Sequence, residues 1–289
     1  MALYESRRHS PTVSDITQDP RVHCLANLAE VLWLRGYPDQ ALQHSQEAYT
    51  IAQRLAHPSS QVVALASATL VHSWRGEHRV ASELAEALIA LACEHGFPHW
   101  LAVGTIRRGV AVVAQGQPEA GMAQIRQGVA ALQATGAQLG MPGYLCQLAW
   151  AHKAIGQEGE GLALIAEALT RVHTTGERLL EAELYRLQGE LLQPSGLHRP
   201  VCTDTPRPTR PQTPDVSGEV SLLRAIKISR RQRAKSLELQ AAMSLSRLWQ
   251  QQGKQLQARQ MLAQICGWFT EGLATADLQD AKVFLDILA

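Results

Sequence analysis

Hydrophobic residues recur along most of the chain at the spacing of an amphipathic helix. Leu25, Leu28 and Leu32 lie three and four positions apart, and Leu145 and Leu148 repeat this spacing farther along. The stretches between turn residues, each of roughly 15 residues, are rich in Ala, Leu, Gln and Glu and show no strand-like alternation of useful length. The pattern predicts an all-α protein.

Glycines interrupt this pattern at every fortieth position between Gly36 and Gly196. Small residues lie seven positions before each of these glycines, and again five positions after the first four. Such a set indicates an internal repeat in which two helices approach closely on either side of a turn. We expect each glycine to end the first helix of a hairpin in the left-handed conformation. The phased glycines are Gly36, Gly76, Gly116, Gly156 and Gly196.

The connections between units contain proline. Pro58, Pro98 and Pro142 follow polar or glycine-containing stretches at the places where the next helix would begin. Proline is tolerated there because the first turn of a helix has no intrahelical partner for its backbone N–H groups. The prolines therefore predict the start of each new hairpin.

The phase is lost after Gly196, and the next matching turn, at Gly253, comes seventeen positions later than the repeat requires. The surplus lies in a segment with six of the chain's 13 prolines, which is incompatible with a helix. We predict a disordered insertion at 197–217, which is either neutral or a docking or modification tether. The other predicted parts are a polar arm at 1–21, repeats 1 to 5 within 22–196, the rest of repeat 5 and repeat 6 at 218–272, and a capping helix at 273–289.

The phased pattern resembles the tetratricopeptide repeat family over about residues 22 to 270, although the repeat unit here is longer than is usual in that family. Similarly long units occur in the C-terminal regions of bacterial multidomain signalling ATPases, including some with a nucleotide-cyclase domain, and the chain resembles these. The strings that carry this resemblance include "RGYPDQAL", "GERLLEAELYRLQGELL" and "CGWFTEGLATADLQDAK". The resemblance implies a right-handed superhelical solenoid of antiparallel helix pairs with a scaffolding or regulatory role, as a stand-alone array or a detached part of a longer protein.

Catalysis is not implied, because the chain contains no GxxxxGK[ST] phosphate-binding loop and no recognisable set of nucleophile, base and orienting residue. We expect no cofactor and no metal site. Cys93, His95 and His99 lie close together in the sequence, but their spacing matches no common zinc pattern, so a surface turn is the expected structure.

The balance of charge excludes a strong general attraction to nucleic acid or to an anionic membrane, since 27 Lys and Arg residues face 26 Asp and Glu residues. The five cysteines are scattered and form no CxxC pair, which is typical of a reducing compartment. No signal-peptide core and no apolar run of about 18 residues is present. We therefore expect a cytoplasmic protein.

The resemblance also implies that the first helix of each hairpin lines a concave groove. Mapped by repeat register, this groove changes from apolar to charged along the array and suits a peptide or an amphipathic helix. An alternative remains open at this stage: the apolar positions of the third repeat belong to the core. The candidate groove residues are Trp33, Leu70, Val103, Ile106, Val110, Trp150, Lys153, Glu183, Arg186, Glu190 and Arg247.

A basic run follows the predicted insertion. Arg224, Lys227 and Arg231 would share one helix face, where they could meet phosphate groups or an acidic partner, although a solvated outer face is the ordinary interpretation. No aromatic residues interleave as base-stacking platforms, so nucleic-acid binding is disfavoured. The sequence predicts a non-catalytic module that binds a protein or peptide and acts in signalling; the alternative is a small-molecule effector sensor that controls an ATPase partner.

Overall fold

The computed structural model describes residues 18–193 and 218–289. Within these ranges it contains thirteen α-helices and no strand. The arm predicted for 1–21 lies almost wholly outside the described residues, and the insertion predicted for 197–217 lies entirely outside them. The helices are α1 Pro20–Arg35, α2 Pro38–Leu55, α3 Pro58–Trp74, α4 His78–Glu94, α5 Pro98–Ala114, α6 Pro118–Ala134, α7 Met141–Ala154, α8 Glu158–Thr175, α9 Glu181–Leu191, α10 Gly218–Gln232, α11 Lys235–Gln251, α12 Gln255–Cys266 and α13 Ala276–Ile287.

Helices α1 to α12 form six consecutive antiparallel hairpins, here called repeats 1 to 6, and α13 packs against α11 and α12. The superhelical stack of helix pairs that the sequence predicts is confirmed. The turn glycines Gly36, Gly76, Gly116, Gly156 and Gly253 all have φ between 74° and 90°. This left-handed conformation is strained for residues with a side chain, which explains why glycine recurs there.

A second phased set of glycines, which the sequence reasoning missed, lies at the turns between repeats. Gly96, Gly136 and Gly176 follow one another at the same interval as the inner-turn glycines and have positive φ, and Ala56 takes the equivalent place after α2. Each of these repeats thus has two left-handed turns. One lies between the two helices of the hairpin, and the other follows the second helix.

The small residues beside the inner turns bring the paired helices together. A Cβ atom added to Gly109 of α5 would lie 2.7 Å from the carbonyl oxygen of Gly121 in α6, and one added to Gly121 would lie 2.5 Å from that of Gly109. Gly189 of α9 and Gly218 of α10 face each other in the same way, at 2.9 and 2.7 Å. Repeat 5 therefore closes like its neighbours, although its two helices are separated in sequence by residues 192–217.

The stack curves until its two ends meet. Each first helix packs against the first helix of the next repeat, and α11 in turn packs against α1. The Ser236 hydroxyl donates a hydrogen bond of 2.5 Å to the carbonyl of Trp33, and the Ala276 N–H donates one of 3.3 Å to the carbonyl of Arg75. The six first helices therefore form a closed ring.

We call the contact of residues 268–276 with residues 36–40 and 75–76 the ring seam. Glu271 accepts hydrogen bonds from the backbone N–H groups of Asp39 (3.0 Å) and Gln40 (3.1 Å), so it caps the start of α2 from the other end of the chain. The Gly272 N–H donates to the Asp39 carboxylate at 2.8 Å. Trp268 lies against Gly36, where an added Cβ would come within 2.6 Å of its ring.

Within the described ranges, none of the helices has the combination of length and apolar character that crossing a bilayer requires.

Candidate functional site

The ring encloses a cavity of about 520 Å³, here called the central cavity. All six first helices and α13 contribute side chains to its lining. Because every repeat supplies one helix at the same register, the cavity is a direct product of the sequence repeat and of the ring seam together. An open solenoid of the same six hairpins would have a groove in its place.

One side of the central cavity is aromatic and aliphatic. Trp33 of α1 and Trp74 of α3 stack with their ring centroids 4.3 Å apart, and Trp150 of α7 lies half-buried in the same lining. Leu70 and Val110 lie between them along α3 and α5. Trp33 is only 3% exposed, so the apolar surface that a ligand could reach is mainly that of the half-buried Trp74 and Trp150. We call these five residues the aromatic wall.

Another part of the lining carries charge. Glu183 and Arg186 of α9, Gln240 of α11, and Asp277 and Asp280 of α13 form what we call the charged wall. The Gln240 amide donates a hydrogen bond of 2.8 Å to Asp277. Burial raises the pKa of Asp277, against the opposing effects of this hydrogen bond and of the Arg186 charge. Asp280 is exposed to solvent.

Arg186 is held rigidly by two carboxylates. Its guanidinium donates to both oxygens of Glu183, at 2.6 and 2.7 Å, and to Glu190 at 2.5 Å. Glu190 also accepts from Lys153 of α7 and Ser244 of α11, each at 2.6 Å. Desolvation opposes ionisation of Glu190, but the nearby charges of Arg186 and Lys153 lower its pKa to about 2. The network joins three neighbouring repeats and fixes the charged wall in place.

Nine of the eleven candidate groove residues fall into three groups. Trp33, Leu70, Val110, Trp150, Glu183 and Arg186 line the central cavity. Lys153 and Glu190 lie behind the charged wall in the network just described. Arg247 is exposed, and it lines an adjoining cavity of about 150 Å³ with its guanidinium 6.0 Å from the centroid of the Phe284 ring.

The prediction that Val103 and Ile106 face the groove is wrong. Both side chains are buried, with exposures of 2% and 0%, and they belong to the core. The reason is the close approach of α6, since a Cβ added to Gly128 of α6 would lie 2.5 Å from Ile106 Cγ1. Without side chains at Gly121 and Gly128, α6 covers a flank of α5 that would be open in a wider hairpin.

Several residues of the central cavity were missed as site candidates. Asp277 and Asp280 belong to the C-terminal helix, and only the closure of the ring brings them into the same cavity as Trp33. The position of a residue within the repeat does not predict that these two aspartates lie in the cavity. Trp74, at the last position of α3, could have been found from its place one turn after Leu70.

The basic-run candidates Arg224, Lys227 and Arg231 do share one face of α10, on the outside of repeat 5. They line a separate cavity of about 570 Å³. The structure adds Arg178, from the connection between α8 and α9, to this group. Elsewhere, the described residues contain no group of three or more His, Cys, Asp or Glu side chains that could hold a metal ion.

Comparison with known proteins identifies the fold. No protein-family model and no curated protein matches the sequence. The apo form of RapI superposes with a TM-score of 0.61 at 9% identity, over 94% of this chain and 87% of RapI. Aspartyl phosphate phosphatase F from Bacillus subtilis gives a TM-score of 0.58 at 10% identity, over 86% of this chain and 60% of its own length. These two likenesses show the fold, a superhelical solenoid of helix pairs.

A signal transduction ATPase with a tetratricopeptide repeat sensor, from Pyrococcus horikoshii, also matches, with a TM-score of 0.44 at 13% identity over 92% of this chain and 38% of the ATPase. At these identities the likeness concerns the fold and leaves ligands and partners undetermined.

Proposed function

We propose that this chain is a non-catalytic regulatory module that binds a short peptide segment of a partner protein in its central cavity. The observation that carries the proposal is that the half-buried indoles of Trp74 and Trp150 and the fixed charged wall line one cavity of about 520 Å³. Pockets of roughly 300 to 1,000 Å³ with apolar walls and few placed polar groups are typical of ligand sites.

The closed ring restricts what can bind. A folded partner domain, which an open groove would accept, cannot enter a space surrounded by six helices. A short segment with an apolar side chain against Trp74 and Trp150 and a polar or cationic group against Asp277 and Asp280 matches both walls. Because Glu183 and Glu190 already satisfy Arg186, the exposed Asp280 is better placed than Arg186 to attract a charged ligand from a distance.

The biological setting is part of the proposal. The strings that resemble bacterial signalling ATPases and cyclases support a role beside such an enzyme, where ligand binding in the array would alter its docking on the enzyme. The ring seam supplies a physical basis for this effect, since a ligand that contacts both Trp33 and Asp277 bridges the two ends of the chain.

Truncation of Trp150 tests the proposed site. Partners are captured from a bacterial lysate and identified by mass spectrometry, and the peptide so found is titrated calorimetrically against the wild type and Trp150→Ala. We expect the variant to bind at least about 2 kcal/mol more weakly, as loss of a central aromatic anchor usually does.

Trp100→Ala is the matched control, because Trp100 packs on His99 at the start of α5 and does not line the central cavity. Both variants must melt like the wild type. A folded Trp150→Ala protein that binds the peptide with full affinity would refute the site.

A second candidate, a small-molecule effector sensor, is favoured by the volume of the cavity. Denaturation of freshly purified protein, followed by mass spectrometry of the released compounds, distinguishes the two. A stoichiometric small molecule that is missing from purified Trp150→Ala supports the sensor and argues against a peptide.

A further inference from the structure

The second cavity, on the outside of repeat 5, carries an uncompensated positive charge. We call this cavity the basic cleft; the residues that matter are Arg178, Glu181, Leu223, Arg224, Lys227 and Arg231. It lies between the end of α8, the connection to α9 and the exposed face of α10. At about 570 Å³, it is as large as the central cavity and shares no lining residue with it.

Four cations face one carboxylate in the basic cleft. Glu181 has a side chain only 3% exposed, and it lies 3.2 Å from Arg178 and 3.8 Å from Arg231. Among the described residues, no carboxylate forms an ion pair with Arg224 or Lys227, which are both exposed to solvent. The cleft therefore keeps a local excess of positive charge although the chain as a whole is nearly neutral.

The cations are partly ordered before any ligand binds. The Arg224 guanidinium lies 4.2 Å from the centroid of the Tyr185 ring, within the range of a cation–π contact. Arg178 and Arg231 are oriented by the buried Glu181. An anionic ligand would therefore lose less side-chain entropy on binding here than at freely moving surface arginines.

Apolar surface accompanies this charge. Leu223, on the exposed face of α10, is 45% exposed within the cleft. A phosphate group bound to these cations would leave this apolar surface exposed to water. A peptide that alternates carboxylates with aliphatic side chains would cover both kinds of surface.

We propose that the basic cleft binds an acidic segment of a partner protein, one that carries aliphatic residues among its carboxylates. Nucleic acid fits less well, because the aromatic ring at the site, that of Tyr185, is 6% exposed and lies under Arg224, so it offers no stacking platform. The chain's own segment 194–217 is also a poor occupant, because its three arginines and two aspartates give it the same sign of charge as the cleft.

Fluorescence anisotropy with a designed probe tests this proposal. The probe is a short fluorescein-labelled synthetic peptide composed of Glu, Asp and Leu, titrated with the whole protein at low salt. We expect saturable binding below about 100 µM that weakens as salt is added. Lys227→Glu should weaken binding at least about tenfold, because it reverses a charge that has no ion-pair partner among the described residues.

Controls separate specific binding from general attraction. Arg259→Glu makes the same change of charge on exposed α12, where Arg259 has no ion pair among the described residues, and it should alter affinity less than about twofold. Leu223→Ser should weaken binding of the leucine-containing peptide several-fold. Trp150→Ala should bind the probe like the wild type, which keeps this test independent of the central cavity.

The proposal is overturned by any of three results. The first is unchanged affinity in a Lys227→Glu protein that melts like the wild type. The second is equal binding of a probe in which serine replaces every leucine. The third is tighter binding of a single-stranded oligothymidine that displaces the peptide, which would make the cleft a nucleic-acid site.

Discussion

Two parts of this molecule rely on glycine for close contact, the α5–α6 pair of repeat 3 and the ring seam. Gly109 and Gly121 lie 12 positions apart in the sequence, and each leaves space for the other's backbone. At the seam, Gly36 leaves space for Trp268, and the polar contacts of Asp39 and Gln40 join residues 231 to 233 positions apart. The first contact is repeated along the chain with variations, whereas the second occurs once.

The contacts within repeats stabilise the stack, whereas the contacts between its two ends form the cavity. Pairing of neighbouring helices would hold in a straight or open array, because each repeat contacts only its neighbours. The ring seam and the packing of α11 on α1 add contacts between the two ends of the array, and these contacts close the ring around the central cavity. We expect damage within a repeat to lower stability most, and damage at the seam to alter the cavity at a smaller cost in stability.

The largest expected effect is that of Gly109→Ala. In an isolated helix this change would stabilise the helix by about 1 kcal/mol. Here the new methyl group would lie 2.7 Å from the Gly121 carbonyl oxygen and 2.9 Å from the Ile125 backbone nitrogen, so α5 and α6 must separate. Urea unfolding should show a loss of about 3 kcal/mol.

Gly159→Ala in α8 is the control, because an added Cβ there meets no atom within 4 Å. It should be neutral or slightly stabilising. If Gly109→Ala unfolds at the same urea concentration as the wild type, the close approach of α5 and α6 is not needed for stability.

Glu190→Gln should come next, with a loss of about 3 kcal/mol at neutral pH. The pKa of Glu190 is lowered from 4.5 to about 2, so the ionised group contributes its full stabilisation above pH 4.5 and loses it as the pH falls toward 2. The difference between wild type and variant should therefore shrink over this range in urea unfolding curves.

The exposed Glu94 has no ion pair among the described residues, so Glu94→Gln provides the comparison and should differ little from the wild type at any of these pH values. A constant difference between wild type and Glu190→Gln from neutral pH down to the pKa of Glu190 would contradict the assignment of the charged network.

These interactions differ in how far the sequence predicts them. The hairpins follow from phased glycines, because a left-handed turn and a close helix contact each restrict one position to a small residue. Six of the eleven groove candidates line the central cavity, because each first helix keeps the same register. The prediction failed at Ile106 because Gly128 has no side chain and α6 packs closely against it. Asp277 was missed because the contacts of the ring seam follow no periodicity in the sequence.

A pair of matched variants measures the seam itself. Gly36→Ala and Gly116→Ala both place a side chain at a positive φ, of 90° and 85°, which costs about 1 kcal/mol. Only at Gly36 does the new methyl group also meet Trp268, at 2.6 Å, while nothing lies within 4 Å of Gly116. We therefore expect Gly36→Ala to lose about 1 kcal/mol more of its free energy of unfolding than Gly116→Ala does.

Hydrogen exchange adds a local measurement to this pair. Amides in residues 268–276 should exchange faster in Gly36→Ala than in Gly116→Ala, since only the first variant disturbs the ring seam. Equal stability and equal exchange in the two proteins would mean that the seam adjusts to an added methyl group, and the closed ring would then be a weak feature of the fold.

The smallest effect is expected from shortening repeat 5. Gly189 and Gly218 make the same contact as Gly109 and Gly121 but lie 29 positions apart, which is 17 more. Deletion of residues 200–216 removes this surplus and restores the usual spacing of 12, so stability should change by less than about 1 kcal/mol.

Deletion of the whole predicted insertion, 197–217, leaves only eight positions between the two glycines. This protein should be less stable, because α9 or α10 must then unwind to make the turn. A loss of more than about 2 kcal/mol in the shorter deletion exceeds what loop entropy supplies. Such a loss would show that residues 200–216 pack against the array and that repeat 5 differs from its neighbours in more than length.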